Sequence, residues 1–264
     1  SSTTTPTAVT LRVYQGPSNM FTVAWQPHGT RIASAGLGQT IQIWDPLTGN
    51  VLVTCNGPAS KVFSISWSSD GSRLVSGDLN GNVQIWDAAS GNLITTFTGH
   101  RGQVNSVAWS PDGTRVVSGG GDRTARVWDV TSGSTITTYT GHTHYLNSVV
   151  WSHDSARVVS GSGDYTARVW DPTSGNTLQV YSQHTNEVLS LAWSPDNSRI
   201  ASASDDGTVQ VWDASTANRY FTYSGHTDFV VAVSWSPDGK RLVSGSRDTT
   251  VQVWDATAGH HIYT

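Results

Sequence analysis

Apolar and polar residues alternate over short stretches of this chain, as at Val83 and Ile85 on one side of an extended segment and Gln84 and Trp86 on the other. A period of two is what a half-buried strand requires, and no stretch shows the 3.6-residue apolar period of a helix. The unit is clearest around residues 104–140. Residues 104–110 make a first strand, closed by the turn Ser110-Pro111-Asp112-Gly113, where proline presets φ at the second position and glycine ends the turn. Residues 115–119 and 125–129 make the next two strands, joined by a turn at 120–124, and Ser132-Gly133 leads to a fourth near 136–140. The pattern predicts an all-β chain.

The alternation returns at a fixed interval. Trp-Asp stands at Trp44-Asp45, Trp86-Asp87, Trp128-Asp129, Trp170-Asp171, Trp212-Asp213 and Trp254-Asp255, a spacing of 42 (86 − 44). A second tryptophan precedes each by 19 positions (44 − 25), at Trp25, Trp67, Trp109, Trp151, Trp193 and Trp235, so all 12 tryptophans are used. A period of roughly 40–45 residues with Gly-His early and Trp-Asp late marks a four-stranded propeller blade. The chain therefore resembles the WD-repeat β-propeller family from about residue 9 to its end.

The resemblance implies a six-bladed WD-repeat β-propeller with four antiparallel strands per blade, one domain over 9–264 behind a Ser/Thr/Pro linker at 1–8. Residues 9–14 align with the outer strand of the other copies. The resemblance implies that this N-terminal strand closes the ring, with Val9, Leu11 and Val13 beside Val251 and Trp254 of the last blade. The family more often has seven blades, which needs about 30 further residues at this period. The start at Ser1 without Met reads as a piece of a longer protein. A monomer is expected, and a second copy is the means of completing a larger ring.

The resemblance also implies a hydrogen-bonded His, Ser/Thr, Asp and Trp set inside each blade. Four copies carry it whole: His100, Ser118, Asp122 and Trp128; His142, Ser160, Asp164 and Trp170; His184, Ser202, Asp206 and Trp212; His226, Ser244, Asp248 and Trp254. The first copy keeps Ser34 and Trp44 but has Gly16 and Gly38, and the second keeps Ser76 and Trp86 with Pro58 and Asn80. Those two blades are expected to be locally weaker.

These sets remove most candidates for chemistry. Of the 18 aspartates, six follow tryptophan, five lie in the first turn and four belong to the sets, leaving Asp78, Asp205 and Asp228. An Asp-His-Ser trio suggests a hydrolase triad, yet here it recurs four times beside a buried Trp with no mouth for substrate. His142 and His144 have a chelating spacing, but no Cys or Glu accompanies them, so no metal is expected. Gly-rich turns such as 118–121 lack Gly-Lys-Ser/Thr and precede a strand, so no nucleotide or other cofactor is expected. The reading is of a protein that is not an enzyme.

Composition narrows the partner. A net charge of −4 with two lysines, Lys61 and Lys240, gives no basic stripe for nucleic acid. No apolar run approaches the roughly 20 residues of a membrane span, so no membrane insertion is expected. Cys55 is the sole cysteine, which excludes an intrachain disulfide and leaves the compartment open.

In the resembled family, the residues three and five positions after the Gly-His histidine, and the one before the set's Asp, ring the top face. By register these include Phe21, Leu37, Phe63, Leu79, Phe229 and Val231, an apolar arc across blades six, one and two, with Arg247 beside it. Blades three and four offer mostly Gly, Asn and Gln, and Tyr145. An exposed apolar patch marks an interaction site. The expected function is a rigid scaffold that docks another protein, or a neighbouring domain of its parent chain, on this face. The alternative is a glycan- or small-molecule-binding propeller using Tyr145 and Asn147 in the channel or top pocket.

Overall fold

The structure, a computed structural model, describes residues 19–58, 60–257 and 259–264. It holds six four-stranded antiparallel sheets in sequence order and, among the described residues, no helix long and apolar enough to cross a membrane. Blade one is β1 (Met20–Trp25), β2 (Ile32–Gly36), β3 (Thr40–Trp44) and β4 (Val51–Asn56). Blade two is β5 (Val62–Trp67), β6 (Arg73–Asp78), β7 (Val83–Asp87) and β8 (Leu93–Phe97). Blade three is β9 (Val104–Trp109), β10 (Arg115–Gly120), β11 (Ala125–Asp129) and β12 (Thr135–Tyr139). Blade four is β13 (Leu146–Trp151), β14 (Val158–Ser162), β15 (Ala167–Trp170) and β16 (Thr177–Tyr181). Blade five is β17 (Val188–Trp193), β18 (Arg199–Ser204), β19 (Val209–Asp213) and β20 (Arg219–Tyr223). Blade six is β21 (Val230–Trp235), β22 (Arg241–Ser246), β23 (Val251–Asp255) and β24 (His261–Tyr263).

Within each blade the turns follow from the residues that make them. Gly113 holds φ at 73°, the left-handed region glycine enters freely, and Ser155 takes the same place in blade four at 59°. The aspartate of this turn accepts from the serine two residues before it, as Asp112 does from Ser110 and Asp154 from Ser152, both at 2.5 Å. The aspartate after each Trp caps the next turn: Asp129 Oδ1 accepts from the backbone N–H of Thr131 at 3.1 Å and Ser132 at 2.7 Å.

A blade is apolar on both faces, so it is stable only between neighbours. In β7, Val83, Ile85 and Trp86 are all buried, whichever side they point to. The first strands of successive blades pack on one another, which makes them the inner strands around a common axis. At the three junctions between blades two and five a valine fills a notch over a glycine, and the equivalent residues of blades one and five are the buried Ala35 and Ala203. A Cβ on Gly77 would lie 2.5 Å from Val104 Cγ1, on Gly119 2.7 Å from Val149 Cγ1, and on Gly161 2.7 Å from Val188 Cγ1. At four of the five junctions the indole at the end of an inner strand then donates to a carbonyl of the preceding blade: Trp67 to Ala24 at 3.0 Å, Trp151 to Ala108 at 3.2 Å, Trp193 to Val150 at 3.3 Å and Trp235 to Ala192 at 3.1 Å. Arg115, Arg157 and Arg199 lie 4.7–4.8 Å above the rings of Trp151, Trp193 and Trp235, clasping blades three to six from below.

Five such junctions make an arc. Blade six and blade one share no comparable packing among the described residues. On blade one Trp25 is 60% exposed and its Nε1 donates to Gly29 of its own turn, and Val23 is 67% exposed. On blade six Val251 is 61% exposed and Gly245 faces open space. Ring closure by the N-terminal strand, with Val9, Leu11 and Val13, falls on residues outside those described. The edge it would take, opposite Trp254 and Val253, is held by His261 and Tyr263 of β24.

Alanine at matched glycines measures this difference. Gly119→Ala overpacks a filled junction and should cost about 1–3 kcal/mol, whereas Gly245→Ala on the open face should change stability by less than about 0.5 kcal/mol. Equal losses in urea unfolding would mean that the two faces are equally covered.

Candidate protein-docking face

The starts of the inner strands define one end of the arc, the top face. In every blade the inner strand loses register with its neighbour at its second residue: between Met20 and Thr22, Val62 and Ser64, Leu146 and Ser148, Val188 and Ser190, and Val230 and Ala232, with the same break opposite Gly119 and Gly120 in blade three. A bulge leaves its residue unpaired and re-aims the side chain. The bulged residues are Phe21, Phe63, Asn105, Asn147, Leu189 and Val231. Beside each bulge one backbone bond ties the following turn to the strand, from Leu37 to Asn19 at 3.0 Å, Leu79 to Lys61 at 2.9 Å, Gly121 to Gln103 at 2.8 Å, Gly163 to Tyr145, Asp205 to Glu187 and Arg247 to Phe229, each at 3.0 Å. These two devices bring three sequence-distant positions together on every blade.

The six positions differ in chemistry. Phe21 and Phe63 stack with centroids 5.6 Å apart and planes 15° apart, and Phe21 remains 47% exposed. Leu79 is 39% exposed and Leu37 half-buried on the same blades. On blade six Phe229 is half-buried beneath the Arg247 guanidinium, 5.2 Å from its ring, and Val231 is exposed at the open end of the arc. Blades three to five turn their polar groups on each other. Asn105 Nδ2 donates to the Leu146 carbonyl at 2.8 Å, Tyr145 OH to Glu187 at 2.6 Å, and Asn147 Nδ2 to the Val188 carbonyl at 3.1 Å. The Glu187 bond, followed by burial, pushes the Tyr145 phenol up to about 12. Burial and then the Glu187 charge raise the Asp205 carboxyl above its ordinary range.

The polar sets lie just below this face. His142 Nε2 is 2.8 Å from Ser160 Oγ and its Nδ1 2.8 Å from Asp164, and Trp170 Nε1 donates to Ser160 at 3.1 Å. His100 meets Ser118 and Asp122 at 2.8 and 3.0 Å, His184 meets Ser202 and Asp206 at 2.7 and 2.8 Å, and His226 meets Ser244 and Asp248 at 2.8 Å each. Trp128, Trp212 and Trp254 donate to those serines at 2.8, 3.2 and 2.8 Å. Rings of the outer strands stack on these indoles, Tyr139 on Trp170 and Tyr181 on Trp212 with centroids 4.7 Å apart. Burial acts to raise the four carboxyls, but the bonds from histidine, threonine and backbone outweigh it. Asp206 is held at about 2 by His184 and Thr208, and Asp122, Asp164 and Asp248 lie below the usual carboxylate range.

Blades one and two organise this level differently. Trp44 and Trp86 still donate to Ser34 and Ser76, at 3.2 and 2.9 Å. In place of a set, buried Asp78 accepts from the backbone N–H groups of Asn80 and Asn82 and from the Asn82 amide, at 2.9, 2.9 and 3.0 Å. Asp78, left unassigned by spacing alone, is a loop organiser. Gly16 lies outside the described residues. Among the described residues no His, Cys, Asp and Glu group has the arrangement of a metal site.

The repeat, the four strands per blade and the bonded polar level meet in one comparison. The family model "WD domain, G-beta repeat" matches residues 8–45, 49–87, 91–129, 133–171, 175–213 and 217–255. This chain belongs to the WD-repeat family. No match was found among curated proteins. WD-repeat domains generally serve as protein-interaction scaffolds and are typically not enzymes.

Two measurements test the polar level. His142→Ala leaves Asp164 and Ser160 short of a partner in a buried place and should cost about 1–3 kcal/mol. Replacement of Gly38, which belongs to no network, carries no cost of that kind, and equal losses in thermal melts would contradict the assignment. The folded carboxyls sit below the value of about 4 they have in an unfolded chain. Their bonds therefore contribute in full above that pH, and the contribution is lost as pH falls from about 4 towards the Asp206 value of about 2. The melting temperature should drop over this window, and Asp206→Asn should flatten the drop. An unchanged slope would count against it.

Proposed function

We propose that the chain is a rigid docking platform that holds a partner protein, or a neighbouring domain of its parent chain, on the top face of blades one and two. The observation that carries this reading is the exposed stack of Phe21 on Phe63, with Leu37 and Leu79 on the same two blades. Large apolar groups gathered on an accessible face favour association, because a partner that covers them removes their surface from water. Bulge and strand hold both rings in place before contact, so little ordering entropy is lost on binding. Phe229, Val231 and Arg247 extend the apolar face toward blade six. Phe21 and Val231 both sit on end blades, where the unfilled ends of the arc add to their exposure, and the stack of Phe21 on Phe63 is the better guide because it joins two blades.

The glycan or small-molecule reading has less support. Its groups, Tyr145 and Asn147, already turn their donors on Glu187 and Val188. No enzymatic role is proposed, since the His-Ser-Asp trios are packed against tryptophan inside four blades.

The double variant Phe21→Ser, Phe63→Ser tests the site. It should fold with a melting temperature near that of the parent and lose at least about tenfold in affinity for the partner, as expected when two central aromatic anchors are removed. If it melts far below the parent, the two rings are core and the docking site lies elsewhere.

A further inference from the structure

The top face is divided by charge as well as by polarity. On blades one to three the exposed titratable groups of this face, among the described residues, are all cations: Lys61 just before β5, Arg101 in the loop between β8 and β9, and Arg123 in the turn between β10 and β11. None of the three makes a side-chain hydrogen bond or an ion pair. The carboxylates of this half are turned inward. Asp78 is buried and bonded to Asn80 and Asn82, and Asp122 is bonded to His100 and to the backbone N–H of Arg101 at 3.0 Å.

Contacts between the turns bring these cations to the margin of the apolar patch. Leu79 donates its backbone N–H to the carbonyl of Lys61, two residues before Phe63. The turn that carries Leu79 abuts the loop of Arg101 so closely that a Cβ on Gly81 would lie 2.8 Å from the Gly102 carbonyl oxygen. Arg123 follows Asp122, the residue that holds the Arg101 N–H. The other half of the face is opposite in sign. On blades five and six the Asp205 carboxyl lies within reach of the charges of Glu187 and Asp228, with Arg247 also near it. A net charge of −4 thus conceals a basic margin beside the exposed phenylalanines.

We infer that the partner of this face is an acidic segment of protein, whose large apolar side chains cover Phe21 and Phe63 while its carboxylates meet Lys61, Arg101 and Arg123. The inference rests on the docking reading above and adds the chemistry of the occupant. Charge complementarity selects it: three unpaired cations gain charge-assisted bonds from carboxylates and repel a basic segment. A single strand of nucleic acid matches less well. Leu37 and Leu79 give it no ring to stack on, three cations fall short of a groove that tracks a phosphate backbone, and the carboxylates of blades five and six repel its continuation across the face.

Selection from a phage library of random peptides tests it, with the 264-residue chain as bait. The enriched peptides should combine Asp and Glu with Trp, Phe or Leu. A synthetic peptide of enriched sequence should bind at least about tenfold more weakly to the triple variant Lys61→Glu, Arg101→Glu, Arg123→Glu, and its binding to the parent should weaken as salt rises from about 0.05 to about 0.5 M. Arg101→Gln alone, which keeps the backbone bond to Asp122, should weaken it several-fold and decides the matter if the triple variant unfolds. Enriched peptides that lack acidic residues, yet lose binding to Phe21→Ser, Phe63→Ser, would overturn the inference and leave the docking reading standing. Peptides whose binding survives that double variant would overturn both, as would the absence of any enrichment. A labelled oligothymidylate that binds the chain more tightly than the peptide would make nucleic acid the occupant and contradict the inference.

Discussion

Contact between adjacent blades is the constraint on which the rest depends. Each sheet has two apolar faces, and a single four-stranded sheet can cover neither. The valine-over-glycine notch joins neighbours closely enough that a Cβ at Gly77, Gly119 or Gly161 has no room. Close packing of this kind is lost with small changes of volume. It sets the spacing of the inner strands, and with it the positions of the bulged residues that form the top face. The proposed docking surface would thus be a consequence of junction geometry, since each exposed side chain on it is aimed by a strand that its neighbours hold.

The buried polar level does a second job at lower cost. The two ring nitrogens of His142 meet Asp164 and Ser160, so neither is left unpaired. The same set ties the turn at the top of a blade to the tryptophan in its third strand. Four blades are braced in this way. Blades one and two, which carry Phe21 and Phe63, rely on shorter-range bonds such as those to Asp78.

Much of this was legible in the residues. The 42-residue interval and the alternation located the strands of blade three to within a residue or so, because strand and turn preferences act locally. Register also put Phe21, Phe63 and Val231 at matching places in their blades, where the inner strands bulge. Other features were not legible, and the reason is common to them. The bulge that aims Phe21, the clasp of Arg115 over Trp151 and the bond from Tyr145 to Glu187 arise from register slips or from contacts between residues about 40 apart, which depend on how blades turn about the axis. The role of Asp78 was hidden because its partners, Asn80 and Asn82, replace a motif. The open ends of the arc were hidden too, since a repeat count says how many blades exist and not whether the first meets the last.

Hydrogen exchange read strand by strand tests the dependence on blade contact most directly. In a linear array whose members are stabilised by their neighbours, the end members open first. The account predicts slowest exchange in β14 and β18, which have a blade on either side, and faster exchange in β2 and β22, although all four are second strands of the same repeat. Equal protection in all four would show that blades are stable on their own, and would contradict the view that packing between them holds the molecule together.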